Sequence, residues 1–183
     1  MSDAITPNFP FIFPVEIFMP ISATLATPLG PFLLTVDNIG LCGLDFPEKQ
    51  AAVPPPPVEQ TAHPLLREAA EQLLAYLDGD LIDFNLSLSI HGTAFQRQVW
   101  EQLLTIPYGQ TMTYGELAER IGGRKKARAV GGAAHANPLG IVIPCHRLIG
   151  SGGALTGFGG GLPMKQTLLD LERKTSKRLD NNV

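Results

Sequence analysis

The residues best suited to chemistry stand in a row. An apolar run from Ile141 to Ile143 leads into Pro144, Cys145, His146 and Arg147, so that a thiol, an imidazole and a permanent cation follow one another directly. The thiolate is the reactive form of cysteine, and neighbouring positive charge can lower a thiol pKa from about 8.5 into the range of roughly 3.5–7.5. The run therefore reads as a candidate nucleophile beside a candidate base. Neighbours on an extended chain point in opposite directions, and a strand ending in a buried cysteine would show the same residues. The flanks favour chemistry: a glycine-rich stretch from Gly150 to Gly161 follows, and a segment with helix-turn-helix features, Thr113 to Asn137, precedes.

Those flanks must supply the elements that position the row. Thr93 with Gln96 forms a capping-box signature ahead of Phe95, Val99, Trp100, Leu103 and Leu104, and IPYGQ (Ile106 to Gln110) ends that helix. Thr113 with Glu116 repeats the signature and starts a short helix through Ile121. Gly122 and Gly123 turn the chain, and Arg124 to Ala136 is expected as a second helix, stopped at Asn137-Pro138. Two short helices about a glycine turn are the helix-turn-helix pattern, which also occurs in proteins that never touch DNA. The second helix is almost bare, with Ala127, Ala129, Gly131, Gly132, Ala133 and Ala134 along it. Its two central glycines cost roughly 1 kcal/mol each against alanine, so something must approach closely. Either the helix packs tightly on a neighbour, or it enters a narrow groove with Arg128 projecting, as in proteins that insert a side chain into the base stack.

The first half reads differently. Short strands separated by turns at Thr27 to Pro31 and Asp37 to Gly40 are expected from Ala23 to Phe46, with Phe32 to Val36 and Leu41 to Phe46 as a hairpin. A proline-rich loop over 47–60 contains four consecutive prolines, 54–57. Pro64 opens a helix that carries Leu66, Ala70, Leu73, Leu74 and Leu77 on one face and ends at Gly79. Phe84, Leu86, Leu88 and Ile90 alternate with Asn85, Ser87 and Ser89 as a half-buried extended segment, which closes a first domain of 1–90 ahead of a second of 91–183.

Charge divides the same way. Residues 1–90 hold two basic residues against eleven acidic ones, a balance of −9, and residues 91–183 hold twelve against six, a balance of +6, which suits a basic half that meets a polyanion. Only Cys42 and Cys145 are present, too few for a disulfide framework and without zinc-site spacing, so a reducing cytoplasm fits. Residues 1–21 are apolar, but Pro7, Pro10, Pro14 and Pro20 interrupt them and no Lys or Arg precedes Lys49. The basic start of a signal peptide is missing, and no stretch is long enough to span a membrane.

The motifs PYGQTMTYGELA, ARAVGGA, the pair Asn137-Pro138, IPCHR and GFGGG, followed by a helix carrying Glu172, resemble those of the O6-alkylguanine-DNA alkyltransferases. The close resemblance covers about Gly92 to Lys174, with a looser match in TPLGPFLL and GLCGLDF. It implies an α+β protein, with a small ribonuclease-H-like domain of antiparallel strands joined to a mainly helical, winged-helix-like domain that holds the helix-turn-helix. It also implies irreversible alkyl transfer from guanine O6, and potentially thymine O4, in double-stranded DNA to Cys145, once per molecule and without a cofactor. His146 would relay the thiol proton through a water, Glu172 would orient the imidazole, Tyr114 would donate a proton towards the departing guanine, and Asn137 would brace the turn beneath Cys145. Arg128 would fill the gap left by the extruded nucleotide, with Tyr114, Arg124, Lys125, Ala127, Ala129 and Gly131 at the DNA. Pro144, Arg147, Leu148, Phe158, Gly159 and Gly160 are expected around the substrate, with Gly157 and Gly161 in the same lid. Phe158 stands where many members carry tyrosine and Gly159 where others carry serine, so a hydroxyl contact to the base is absent there. Some members bind zinc in the first domain; Cys42, His63 and His91 do not match that pattern, and no metal is expected. Cys42 reads as a small hydrophobe. The chain is expected to act as a cytoplasmic monomer, on the nucleoid when bound to DNA.

Overall fold

Alternation within FLLTV puts Phe32, Leu34 and Val36 on one face, all fully buried, and so fixes strand β2 (Phe32–Val36) between β1 (Ile21–Leu25) and β3 (Leu41–Asp45). The structure, a computed structural model, describes residues 19–47 and 54–181. The three strands form an antiparallel sheet in the order β1-β2-β3. Asp37 Oδ1 closes the β2–β3 turn by accepting from the N–H groups of Ile39 and Gly40 at 2.8 and 3.0 Å. Helix α1 (Pro64–Leu77) packs against this sheet and buries Leu66, Ala69, Ala70, Leu73 and Tyr76. Pro64 occupies its first turn, and Gly79 takes a left-handed φ of 76° just beyond its end. The apolar start of the chain, through residue 18, and residues 48–53 of the proline-rich loop lie outside the described residues. The described part of that loop ends in a 3-10 turn at Val58–Gln60 and ties to β1, with Thr24 N–H donating to Pro56 O.

The extended segment after α1 lies beside the start of β3 through a single bridge. Leu41 N–H donates to Ser87 O and Ser89 N–H donates to Leu41 O. Gly40 permits this approach, since a Cβ there would stand 2.1 Å from Ser87 O. The expected alternation breaks at Ser89, which is buried because its hydroxyl donates to Asp37 Oδ2 at 2.6 Å.

In the second half both capping boxes are formed, by Thr93 with Gln96 at α2 (Ala94–Leu104) and by Thr113 with Glu116 at α3 (Tyr114–Arg120). The segment expected as one helix over Arg124 to Ala136 is divided. Left-handed Gly122 and Gly123 deliver the chain into a 3-10 turn at Arg124–Lys126, and helix α4 runs only over Ala127–His135. Trp100 Nε1–H donates to Ala133 O at 2.9 Å and binds α4 to α2. A parallel pair, β4 (Met112–Thr113) with β5 (Leu148–Ile149), and helix α5 (Gly161–Asp180) complete the half. The molecule is α+β, with an antiparallel three-stranded domain followed by a helical one. One core runs through both, and Leu44 N–H in β3 donates to Pro138 O at 2.8 Å. Among the described residues no helix is long and apolar enough to cross a membrane.

Candidate active site

Asn137, two residues beyond the end of α4, organises the turn that follows. Its Nδ2 donates to Ile143 O at 2.8 Å and to Cys145 Sγ at 3.3 Å, while its Oδ1 accepts from Leu139 N–H at 3.0 Å. The backbone closes on itself through Ile143 N–H to Leu139 O and Cys145 N–H to Ile143 O, and Ile141, fully enclosed, is held at a φ of 72°. A non-glycine residue stays in that region only where its surroundings over-determine it. Gly140 lets the Phe46 ring press on the turn, since a Cβ there would meet it at 2.5 Å. The product of this folding is Cys145, 9% exposed, at the head of a 3-10 turn over Cys145–Arg147.

The next two residues of that turn reach α5. His146 is fully buried with Nε2 2.8 Å from Glu172 Oε1. Arg147 donates through Nε to both carboxylate oxygens at 3.0 Å, through Nη2 to Oε1 at 2.8 Å and through Nη1 to Ile106 O at 2.6 Å. Gly109 N–H donates to Oε2 at 2.9 Å, and the Tyr76 hydroxyl donates to Oε1 at 2.6 Å. Burial works to raise the Glu172 pKa, but the hydrogen bonds and charges of His146 and Arg147 outweigh it and hold the carboxyl at about 2. Burial pushes His146 below its ordinary 6.5, with Arg147 and Lys165 adding to that and Glu172 opposing it. At neutral pH the pair is thus a carboxylate and a neutral imidazole. His146 Nδ1 is buried and has no hydrogen-bond partner among the described residues.

Above Cys145 lies a cavity of about 210 Å³ lined by Tyr114, Gly131, Ala134, His135, Thr156, Gly157, Phe158 and Gly159. Phe158 is braced edge-on by Phe46, with centroids 4.9 Å apart. The Tyr114 hydroxyl lies 3.5 Å from Gly157 O, and burial raises its pKa, so the phenol keeps its proton at neutral pH. Lys165, fully buried, donates from Nζ to Leu148 O at 2.5 Å and Thr156 O at 2.7 Å, which ties β5 to the part of the glycine-rich loop that walls the cavity. Over the opening runs α4. Gly131 sits against the Tyr114 ring, and Arg128, Ala129 and Gly132 face solvent beside the exposed Arg124, Lys125 and Lys126.

The structure therefore gathers Cys145, Tyr114, Gly131, Phe158 and Gly159 at one cavity, with Asn137, His146 and Glu172 behind it and Arg128, Arg124 and Lys125 on the outer face beside half-buried Ala127. Four residues expected around the substrate stand elsewhere. Pro144 and Arg147 line a separate cavity of about 120 Å³ together with Ile82 and Phe84, because the Arg147 head is drawn to Glu172. Leu148 is enclosed within β5, and Gly160 is pressed by Phe46 and Met164 at the start of α5. Cys42 is half-buried, its thiol donating to Thr35 O at 3.4 Å, and burial raises its pKa. Sequence reasoning missed Thr156, Ala134 and His135 on the wall, and Tyr76, Gly109 and Lys165 behind it. Lys165 carried a signal: with Leu168, Glu172 and Thr175 it falls on the inward face of α5, where a charge needs a buried partner.

Comparison with known proteins finds two family models along the chain. Family models described as the DNA-binding domain and the ribonuclease-like domain of 6-O-methylguanine DNA methyltransferase match residues 94–174 and 21–90. A methylated-DNA–protein-cysteine methyltransferase of Methanosarcina acetivorans is 45% identical over 150 residues, which are 82% of this chain and 96% of that protein. The crystal structure of the Mycobacterium tuberculosis O6-methylguanine methyltransferase is 41% identical with a TM-score of 0.75, covering 86% of this chain and 94% of that one. That of Mycobacterium tuberculosis OGT in complex with DNA is 42% identical, also with a TM-score of 0.75, over 84% and 93%.

Proposed function

This chain belongs to the methylated-DNA–protein-cysteine methyltransferase family, and on that premise we propose that it repairs DNA by moving an alkyl group from guanine O6 to Cys145. The observation that carries this reading is Cys145 Sγ at the floor of a cavity, backed by a neutral His146 on an ionised Glu172 and roofed by a helix-turn-helix. The family relation supplies the substrate; the residues supply the steps. An alkyl group on O6 lies inside the duplex, so the nucleotide is flipped out at a cost of a few kcal/mol. Arg128 fills the gap, and basic residues 124–126 hold phosphates.

Glu172 accepts from Nε2–H of the neutral imidazole, which leaves Nδ1 as the acceptor for the thiol proton, relayed through a water. The thiolate attacks the alkyl carbon; a carbon–sulfur bond forms as the carbon–O6 bond breaks, its electron pair stays on the purine, and Tyr114 protonates the departing base. Asn137 Nδ2, donating to Sγ, stabilises the anion before attack. A thioether is a very poor leaving group, so water does not regenerate Cys145 and each molecule reacts once. The reading extends to O4-alkylthymine, to a monomer that needs no cofactor and works in the cytoplasm on nucleoid DNA, and to domains of 1–90 and 91–183.

Intact-protein mass after incubation with duplex DNA containing O6-methylguanine tests it. The expected result is one added methyl per molecule, located on Cys145, and none on Cys145→Ser. Repeated demethylation by unmodified protein would overturn it, and an O4-methylthymine duplex in the same assay settles that substrate.

A further inference from the structure

Helix α1 belongs to the sheet-bearing half, yet one of its side chains ends inside the catalytic cluster. Tyr76 is fully buried, and its hydroxyl both donates to Glu172 Oε1 at 2.6 Å and lies 3.3 Å from His146 Nε2. The ring cannot drift, for Phe84 lies tilted against it at 5.2 Å and Tyr108 meets it edge-on at 5.8 Å. A phenol has one proton and lone pairs on its oxygen. With the proton committed to the carboxylate, the phenol turns a lone pair towards His146. Glu172 Oε1, on the same side of the ring nitrogen at 2.8 Å, also only accepts. Both neighbours of Nε2 are acceptors, so Nε2 must carry the hydrogen, and a neutral imidazole then has its free lone pair on Nδ1.

We propose that Tyr76 is a positioning residue of the reaction centre: its hydroxyl, delivered from the N-terminal half, joins Glu172 in fixing His146 as the Nε2–H tautomer and so keeps Nδ1 ready to take the Cys145 proton. Among the described residues, the other charged or titratable groups facing the Cys145–His146 pair are Glu172 and Lys165 from α5, Arg147 from the same turn, Tyr114 from α3 and His135 from α4 on the cavity wall, with Tyr108 facing Glu172 and Tyr76. All of these belong to the helical half. None but Tyr76 and Glu172 places an acceptor at Nε2. The sheet domain thereby takes part in thiol activation, a role distinct from stabilising the fold. The inference rests on the reading of Cys145 as the nucleophile.

The test is Tyr76→Phe, which keeps the ring and removes the hydroxyl. Two readouts do not depend on DNA: the rate of Cys145 alkylation by iodoacetamide as a function of pH, and the nitrogen chemical shifts of the His146 ring. The variant is expected to react about tenfold more slowly near neutral pH, the factor that a hydrogen bond to a charged group is worth. It should converge with wild type at alkaline pH, where the thiolate forms unaided, and methyl transfer from duplex DNA should fall by the same factor. An unchanged pH profile would overturn the inference, as would a loss equal at every pH, which marks damaged packing. Wild-type ring shifts decide independently of any variant: protonated Nε2 is expected, and protonated Nδ1 would refute the idea. If wild type shows the expected thiol profile but takes no methyl from DNA, the repair function fails while the role of Tyr76 stands.

Discussion

Glu172 is a carboxylate without solvent that stays ionised, because Arg147 and His146 meet it directly and Gly109 and Tyr76 complete its acceptor sites. Removing one member of such a group leaves the others buried and underpaired, which costs about 3–5 kcal/mol. Glu172→Gln is therefore expected to lower the free energy of unfolding in urea by an amount of that order. In the reaction it should slow Cys145 alkylation near neutral pH by at least tenfold, with the loss shrinking at alkaline pH where no base is needed. His146→Phe should reproduce the same change of profile. A pH–rate curve unaffected by both substitutions would take the pair out of the mechanism.

At the scale of elements, α4 carries few side chains on its exposed face. Ala129 and Gly132 face solvent, and no atom lies within 4 Å of where a Gly132 Cβ would be. Such a surface has little with which to read base edges, and Arg128 and His135 are the large exposed side chains of α4. Arg128→Ala is expected to slow repair of duplex DNA by about ten- to a hundredfold, since flipping a nucleotide costs a few kcal/mol. Reaction with free O6-methylguanine base should barely change. Equal losses on the two substrates would place Arg128 in the chemical step. Binding should weaken steeply with salt as phosphate contacts release counterions, and vary little among sequences, which a titration of several unmodified duplexes at two salt concentrations would check.

For the whole molecule, Glu172 is where separate parts of the chain converge: α1 through Tyr76, the loop after α2 through Gly109, the Cys145–Arg147 turn, and α5 itself. Its carboxyl is held at about 2 against an ordinary 4.5, so the unfolded chain takes up a proton that the folded one refuses. The stability this contributes is complete above 4.5 and is lost as pH falls towards 2, an amount of roughly 3 kcal/mol. His146, pushed below 6.5, acts in the same direction from that pH downwards. Denaturant unfolding of wild type across that range should show the loss, and Glu172→Gln should show a shallower dependence. Parallel curves would mean that other carboxylates govern acid unfolding.

What the sequence determined by itself was local. Capping boxes at Thr93 and Thr113, the hairpin of β2 and β3, the ends of α1 and the IPCHR row depend on residues a few positions apart, and they stand where spacing and propensity put them. The site residues that the motifs carried, Cys145, His146, Glu172, Tyr114 and Asn137, are gathered within one neighbourhood. The tertiary structure decided what depends on distant partners. Arg147 looked like a substrate contact because it adjoins Cys145 and His146, but a buried carboxylate 25 residues away captures it. Lys165 is buried because two backbone carbonyls, of Leu148 and Thr156, need one donor. Ser89 turns inward for Asp37, 52 residues away. Nothing in the sequence singles out Tyr76 on α1, and only the packing of one half on the other, 96 residues apart, brings its hydroxyl to Glu172. A side chain's hydrophobic pattern records that it is buried, whereas the partner that satisfies its polar atom is fixed by which surfaces meet in the folded chain.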